Sequence, residues 1–232
     1  MKLAIMQPYL FPYIGYFQLI NAVDLFVFYN DVNFIRKGWI NRNRILVNGK
    51  EHLFTIPCRD ISQNRLICET AIVFDSREQS KLLETIQQAY KKAPFFTAIY
   101  KIVEKVLLAN YTHIDAMAIA SITEVCEHLS MGTQFKESKK QYNNQELAAA
   151  DRIIDICLKE KAGEYINAEG GTGLYSKDQF SHSGIKLNFL ETKLLSYRQL
   201  DNEFVPSLSI IDVLMFNSKD DVRQMLHSFE LV

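Results

Sequence analysis

The sequence predicts an α/β protein, a Rossmann-like three-layer sheet that carries a projecting β-hairpin and a helical insert. Three observations lead there. Residues 2–29 run strand, turn, helix, strand, the outline of a right-handed βαβ unit. Asn48-Gly49 then separates two segments of strand character, the strongest short-range signal for a hairpin turn. From Ser76 the apolar spacing changes to a helical period, holds it to about residue 162, and gives way again to strand-like segments. At 232 residues the chain suits a single domain with a substantial core, the insert lying at about 76–162 within it.

Lys2 to Met6 (KLAIM) is an apolar run halted at Gln7-Pro8, because proline has no N–H with which to continue a ladder. An aromatic, proline-rich turn follows. From Pro12, well suited to a first helical position, Tyr13, Phe17, Ile20, Asn21 and Val23 recur at helical spacing. Leu25 to Tyr29 (LFVFY) is a continuous apolar strand of the kind buried inside a parallel sheet. The ribbon is expected over Phe34 to Leu46 and His52 to Pro57, with Arg42 and Arg44 on one face and Trp39, Asn41 and Asn43 on the other. Leu66 to Phe74 (LICETAIVF) reads as a further strand.

Within the insert, Leu82, Leu83, Ile86, Ala89 and Tyr90 line a helix stopped by Pro94. Further helices are expected over about 95–109, about 114–130 (closed by Gly132) and 146–161, with the polar stretch 138–145 as a loop. Glu164 to Ala168 and Lys186 to Glu191 are short strands around a glycine-rich loop, and helices are expected over 207–216 and 220–229.

Composition narrows the function classes. Lys plus Arg number 26 against 27 Asp plus Glu, so no global positive field exists to hold nucleic acid, and any anion site must be local. No apolar run is long enough for a membrane span, and Leu3 to Met6 is too short for a signal-peptide core, which points to a cytoplasmic protein without membrane insertion. Cys58, Cys68, Cys126 and Cys157 are widely spaced with no histidine at ligand spacing, so the reading is reduced thiols and no metal site. No motif names a cofactor, and a homo-oligomer is compatible with the chain.

The candidate site residues fall in two blocks. Gln7 stands at the carboxyl end of the first predicted strand, where open α/β sheets place ligands, as a polar contact or a turn-stabilising group. Asp31 follows the second strand, where a carboxylate serves as a base or binds a metal or an ammonium group. Arg36, Lys37, Trp39, Asn41, Arg42 and Arg44 gather cationic and amide donors around the single tryptophan. Arginine's planar fork matches phosphate or carboxylate and an indole stacks on a base or sugar ring, so the combination fits a nucleotide-linked ligand. Asn167, Gly170, Gly171 and Tyr175 lie in the second block, where glycines let backbone N–H groups approach phosphate, although the spacing is neither G-x-G-x-x-G nor a P-loop.

The same residues carry a resemblance. Gln7-Pro8, Phe11-Pro12, Gly15-Tyr16-Phe17, Asp24, Asp31-Val32, Gly38-Trp39 and Asn41-Arg42-Asn43-Arg44, with Tyr165-Ile166-Asn167, Gly170-Gly171, Leu174-Tyr175 and Leu208 to Asp212, resemble the WbqC-like protein family over nearly the whole chain. Family members often have His-Gln-Pro and Asp-Asp where this chain has Met6-Gln7-Pro8 and Asn30-Asp31. The resemblance implies a place in the synthesis of O-antigen or other surface polysaccharides, with transfer of an acyl or aminoacyl (glycyl) group to a nucleotide-linked amino sugar. The expected small-molecule partners are a nucleotide sugar and an acyl donor, with Asp31 and Gln7 catalytic. Nucleotidyl transfer to a phosphosugar and a non-catalytic nucleotide-sugar-binding adaptor are the alternatives.

Overall fold

The computed structural model describes residues 1–200 and 202–232, with the backbone alone described at 140. In chain order the first elements are β1 (Lys2–Met6), α1 (Ile14–Asn21), β2 (Leu25–Phe28), β3 (Arg42–Val47), β4 (Lys50–Thr55), α2 (Ser76–Tyr90), α3 (Phe96–Leu108) and α4 (Ile114–His128). There follow β5 (Gln134–Glu137), α5 (Ala149–Lys159), β6 (Glu164–Ala168), α6 (Lys177–His182), β7 (Lys186–Thr192), α7 (Ile210–Phe216), α8 (Lys219–Met225) and β8 (Phe229–Leu231).

Six strands form one sheet in the order β5-β2-β1-β6-β7-β8, parallel throughout except for β8 at one edge. Alternation along its central strands builds two cores. Leu3, Ile5, Leu25 and Val27 face α5 and α6, while Ala4, Phe26 and Phe28 face the layer holding α1 to α4, α7 and α8. This is the three-layer α/β arrangement expected from the sequence, and β3–β4 stand apart as the antiparallel hairpin. Asn48 and Gly49 take φ of 50° and 74° at its two-residue turn, the left-handed pair that a tight hairpin requires. Among the described residues no helix is long and apolar enough to cross a membrane.

The differences from expectation have local causes. The first ribbon strand begins at Arg42 rather than Phe34, because the backbone turns at 35–38, with Lys37 at φ 62° and the Gly38 N–H donated to Ile35. Leu66 to Phe74 is not a strand. Its N–H groups are spent on Val32, Asn30 and Thr112 carbonyls, so it straps the loop after β2 to the start of α4 around a single 3₁₀ turn, Ile67–Glu69. The helix over 114–130 stops at His128 through Ser130 at φ 55°, two residues before Gly132. The stretch 76–162 supplies α2 to α4 on one face, then the edge strand β5, then α5 on the opposite face. Strand β5 (QFKE) is too polar and short to announce itself; it is held by the parallel ladder to β2 and by Phe135 stacked on Phe28 at 5.3 Å.

Candidate functional site

The chain leaves β1 toward one face of the sheet and β6 toward the other, so their neighbouring carboxyl ends form a topological switch point, where open parallel sheets bind ligands. The turn after β1 is a built feature. Phe11 sits at φ 42°, a conformation costly to a bulky residue. It is held there by Ser121, whose Oγ accepts the Phe11 N–H at 2.9 Å, and by Asn43 and Ser209, which donate to its carbonyl at 2.7 and 2.8 Å. Asn43 also donates to the Leu10 carbonyl and Leu10 donates to that of Trp39, which ties the hairpin base down over the turn.

Between turn and ribbon lies a cavity of about 280 Å³ lined by Tyr9, Pro12, Tyr13, Trp39, Asn43, Arg44 and Ser207. Trp39 is 38% exposed, unusual for a lone tryptophan, and the Arg42 and Arg44 guanidinium carbons lie 5.8 and 5.2 Å from its ring centroid. The two arginines differ in what they have left to give. Arg42 donates from Nε to Gly38 at 2.9 Å and from Nη2 to Lys37, so it braces the turn that presents Trp39. Arg44 pairs through Nη1 with Glu51 at 2.8 Å and reaches the Ser207 carbonyl only at 3.4 Å, while its Nε is buried without a partner. The Arg44–Glu51 pair is substantially exposed, a class of ion pair worth roughly 0–1 kcal/mol, so an incoming anion displaces it at little cost.

The phenols complete the lining. Burial raises both Tyr9 and Tyr13 above the ordinary tyrosine value, a hydrogen bond with Thr192 partly offsets this for Tyr13, and the nearby Glu169 charge adds to it. Both are neutral O–H donors at physiological pH. Tyr13 lies against Gly15, where a Cβ would come within 2.4 Å of both its ring and the Thr192 hydroxyl. Glycine is needed there because the ring must lie flat on the first turn of α1.

The other predicted residues fall elsewhere. Arg36 and Lys37 are exposed on the turn before Trp39. Asn41 is buried and donates to the Ile56 carbonyl at 2.8 Å, closing the ribbon rather than lining the cavity. Gln7 ends β1; its backbone carbonyl accepts the Tyr16 hydroxyl at 2.8 Å and its Oε1 is buried without a partner. Asn167 is buried and accepts the Ala168 N–H, and its side chain lies 2.2 Å from where a Cβ on Gly171 would stand, which accounts for that glycine. Gly170 has open space around it, and Tyr175 packs on Tyr165 and Phe180 in the α5/α6 core.

Asp31 lies in a buried network. Its carboxylate accepts from Ser138 Oγ, from Gln145 Nε2 at 3.1 Å and from Arg152 Nη2 at 2.6 Å, and it does not line the cavity. The Arg152 guanidinium also donates to Asn144 at 3.0 Å and covers the Tyr29 ring at 4.8 Å. Beside it Asp115 accepts from Lys139 at 2.6 Å and from Asn30 at 3.0 Å. These groups staple the ends of β2 and β5 to α4 and α5. No local pattern marks partners more than 80 residues away, nor Tyr9, Tyr13 and Ser207 in the cavity wall; the density of aromatic residues and prolines after β1 was the available signal. Burial pushes the Cys58, Cys126 and Cys157 thiols up to about 12, so none is a ready thiolate nucleophile. Among the described residues no three His, Cys, Asp or Glu side chains gather to hold a metal ion.

Comparison with known proteins agrees with this reach. The model of the WbqC-like protein family matches residues 7–224. The uncharacterized protein Rv1507c of Mycobacterium tuberculosis is 27% identical over 222 residues, 93% of each chain. No solved structure matches the chain.

Proposed function

This chain belongs to the WbqC-like protein family, and on that premise we propose that it is a cytoplasmic enzyme of surface-polysaccharide (O-antigen) biosynthesis that transfers an acyl or aminoacyl group to a nucleotide-linked amino sugar. The observation that carries the reading is the cavity at the sheet's switch point, where two guanidinium carbons lie 5.8 and 5.2 Å from the ring of an exposed indole. Trp39 stacks on a ring of the ligand, Arg44 exchanges Glu51 for the diphosphate, and Arg36 and Lys37 add positive charge from the exposed turn. Tyr9 and Tyr13 donate to sugar oxygens. The sugar amine attacks the acyl carbon, the new C–N bond replaces the bond to the donor's carrier, and the carrier leaves with that bonding pair and takes up the proton the amine loses.

Asp31 is not assigned that proton, because its carboxylate is already committed to Ser138, Gln145 and Arg152. Gln7, just past β1 with an uncommitted but buried Oε1 outside the cavity lining, is assigned a supporting role behind the amine rather than a contact with it. The Asn167–Tyr175 segment lines none of the cavity, and its effect there is the Glu169 charge acting on Tyr13.

One observation favours a second reading, a non-catalytic nucleotide-sugar binder: the cavity lining contains donors but neither a carboxylate nor a histidine. Incubation with a uridine-diphosphate amino sugar and acyl or aminoacyl donors, followed by mass spectrometry, separates the two. The enzyme reading predicts an amide product heavier by the acyl group and its loss in Arg44→Ala. Sugar bound and recovered unmodified with every donor favours the binder, and pyrophosphate release from a nucleoside triphosphate and a phosphosugar would instead establish nucleotidyl transfer.

A further inference from the structure

A second concave surface lies farther along the hairpin, toward its turn, outside the Trp39 cavity. It is a groove of about 590 Å³ between the Asn48-Gly49 turn and the carboxyl end of α2, floored by Leu46, Tyr90 and Phe216 and rimmed by Gln88, Lys91 and Lys92. The Tyr90 and Phe216 rings lie 5.8 Å apart at 59°, Tyr90 buried and Phe216 partly exposed. A recess of about 290 Å³ bordered by Arg198 shares Phe216 with it and extends the groove.

Its charge is one-sided. Among the described residues, Lys91 and Lys92 take part in no ion pair and no Asp or Glu lines the groove. In a chain of net charge −1 such a segregation of cations is a local arrangement. The helix dipole favours one lysine at a carboxyl end, but it accounts for neither the second nor the concavity. The end of α2 needs no help from either ammonium group, since the Lys91 N–H caps Gln87 and the Ala93 N–H caps Tyr90. The walls are also fixed. Tyr90 donates to Asp212 at 2.7 Å and accepts the Leu46 N–H at 3.0 Å. The turn is seated so closely that a Cβ on Gly49 would meet the Asn202 side chain at 2.6 Å.

We propose that this groove binds a phosphorylated small molecule, its phosphates held by Lys91 and Lys92 and a ring or apolar arm laid on Phe216. Volume and lining suit a mononucleotide-sized ligand, since small-molecule sites generally run to roughly 300–1,000 Å³ with few polar anchors. Leu46 is two residues along β3 from Arg44 and so on the same face of the strand, which places the two sites side by side along the ribbon. The groove stands on its own lining and does not depend on the acyl-transfer reading.

Inorganic pyrophosphate titrated into the ¹⁵N-labelled full chain at low salt tests this. Saturable amide shifts at residues 46–49 and 88–92 are expected at millimolar ligand or below, separate from any at 39–44 where Arg44 meets the same anion. Affinity read at 88–92 should weaken at least tenfold in Lys91→Gln/Lys92→Gln and stay within twofold of wild type in Arg44→Ala. Both lysines are exposed, so the double variant keeps its fold, which an unchanged spectrum elsewhere verifies. Shifts confined to the Trp39–Arg44 region, unchanged affinity in the double lysine variant, or absence of saturable binding would each overturn the proposal. Failure of the Trp39 cavity to bind nucleotide sugars would leave it standing.

Discussion

Replacing Arg152 by methionine removes one half of a buried ion pair and tests what Asp31 is for. The side chains of Arg152 and Asp31 are 5% and 4% exposed, and Nη2 lies 2.6 Å from Oδ2. Breaking such a pair strands a charge in the interior and costs about 3–5 kcal/mol. The hydrogen bond to Asn144 and the contact with the Tyr29 ring go with it. At roughly 2–4 °C per kcal/mol for a chain of this size, the melting temperature should fall by roughly 6–20 °C. Urea unfolding followed by circular dichroism gives the free energy, and a cycle with Asp31→Asn isolates the pair. The double variant should lose clearly less than the sum of the singles, because removing both partners leaves no unpaired charge. A cost under about 1 kcal/mol for Arg152→Met, well below the buried-pair range, or additive costs, would refute the assignment of Asp31 to support.

Other consequences follow from the same geometry. Tyr90→Phe leaves the Leu46 N–H and one Asp212 oxygen buried without a partner and should cost about 1–3 kcal/mol in the same assay. Asp212 is held above its ordinary value of 3.8 chiefly by burial, against the hydrogen bonds from Tyr197, Tyr90 and Gln199. Protonation is therefore easier in the folded state, so its contribution to stability is fully present below 3.8 and is lost as pH rises through the raised folded value. Wild type should gain relative to Asp212→Asn as pH falls from 7 toward 4 in urea titrations, and a gap independent of pH would contradict this. Gly15→Ala sets a Cβ against the Tyr13 ring and the Thr192 hydroxyl, so it should cost about 1–3 kcal/mol as overpacking and, by pushing Tyr13 off α1, weaken nucleotide-sugar binding measured by calorimetry.

Much of the frame was legible because its signals are local. KLAIM and LFVFY are apolar on both faces, as strands inside a parallel sheet must be, and Asn48-Gly49 supplies two residues tolerant of positive φ. Asp75 with Glu78 closes a capping box at the start of α2, a spacing that can be read directly. What escaped depends on contacts distant in sequence. Strand β5 has one aromatic residue and is a strand only because β2 offers it a ladder; β8 depends likewise on β7. Leu66 to Phe74 has strand composition, but its neighbours are loop carbonyls. Within the candidate site, period-two alternation placed Trp39 opposite the arginines, whereas the turn at 35–38 swings its ring onto both of them. Asp31 looked available because Arg152, Ser138 and Gln145 arrive from more than 100 residues away.

The central claim is that the Trp39 cavity binds a nucleotide-linked amino sugar, and the chain carries its own reporter, since Trp39 is the single tryptophan. Titrating uridine-diphosphate amino sugars while following intrinsic fluorescence should give saturable quenching or a spectral shift. Arg44→Ala should weaken that response at least tenfold, as loss of a charge-assisted contact worth about 1.5–3 kcal/mol implies. Calorimetric binding with Trp39 emission unchanged at saturation, or an undiminished affinity in Arg44→Ala, would contradict the claim.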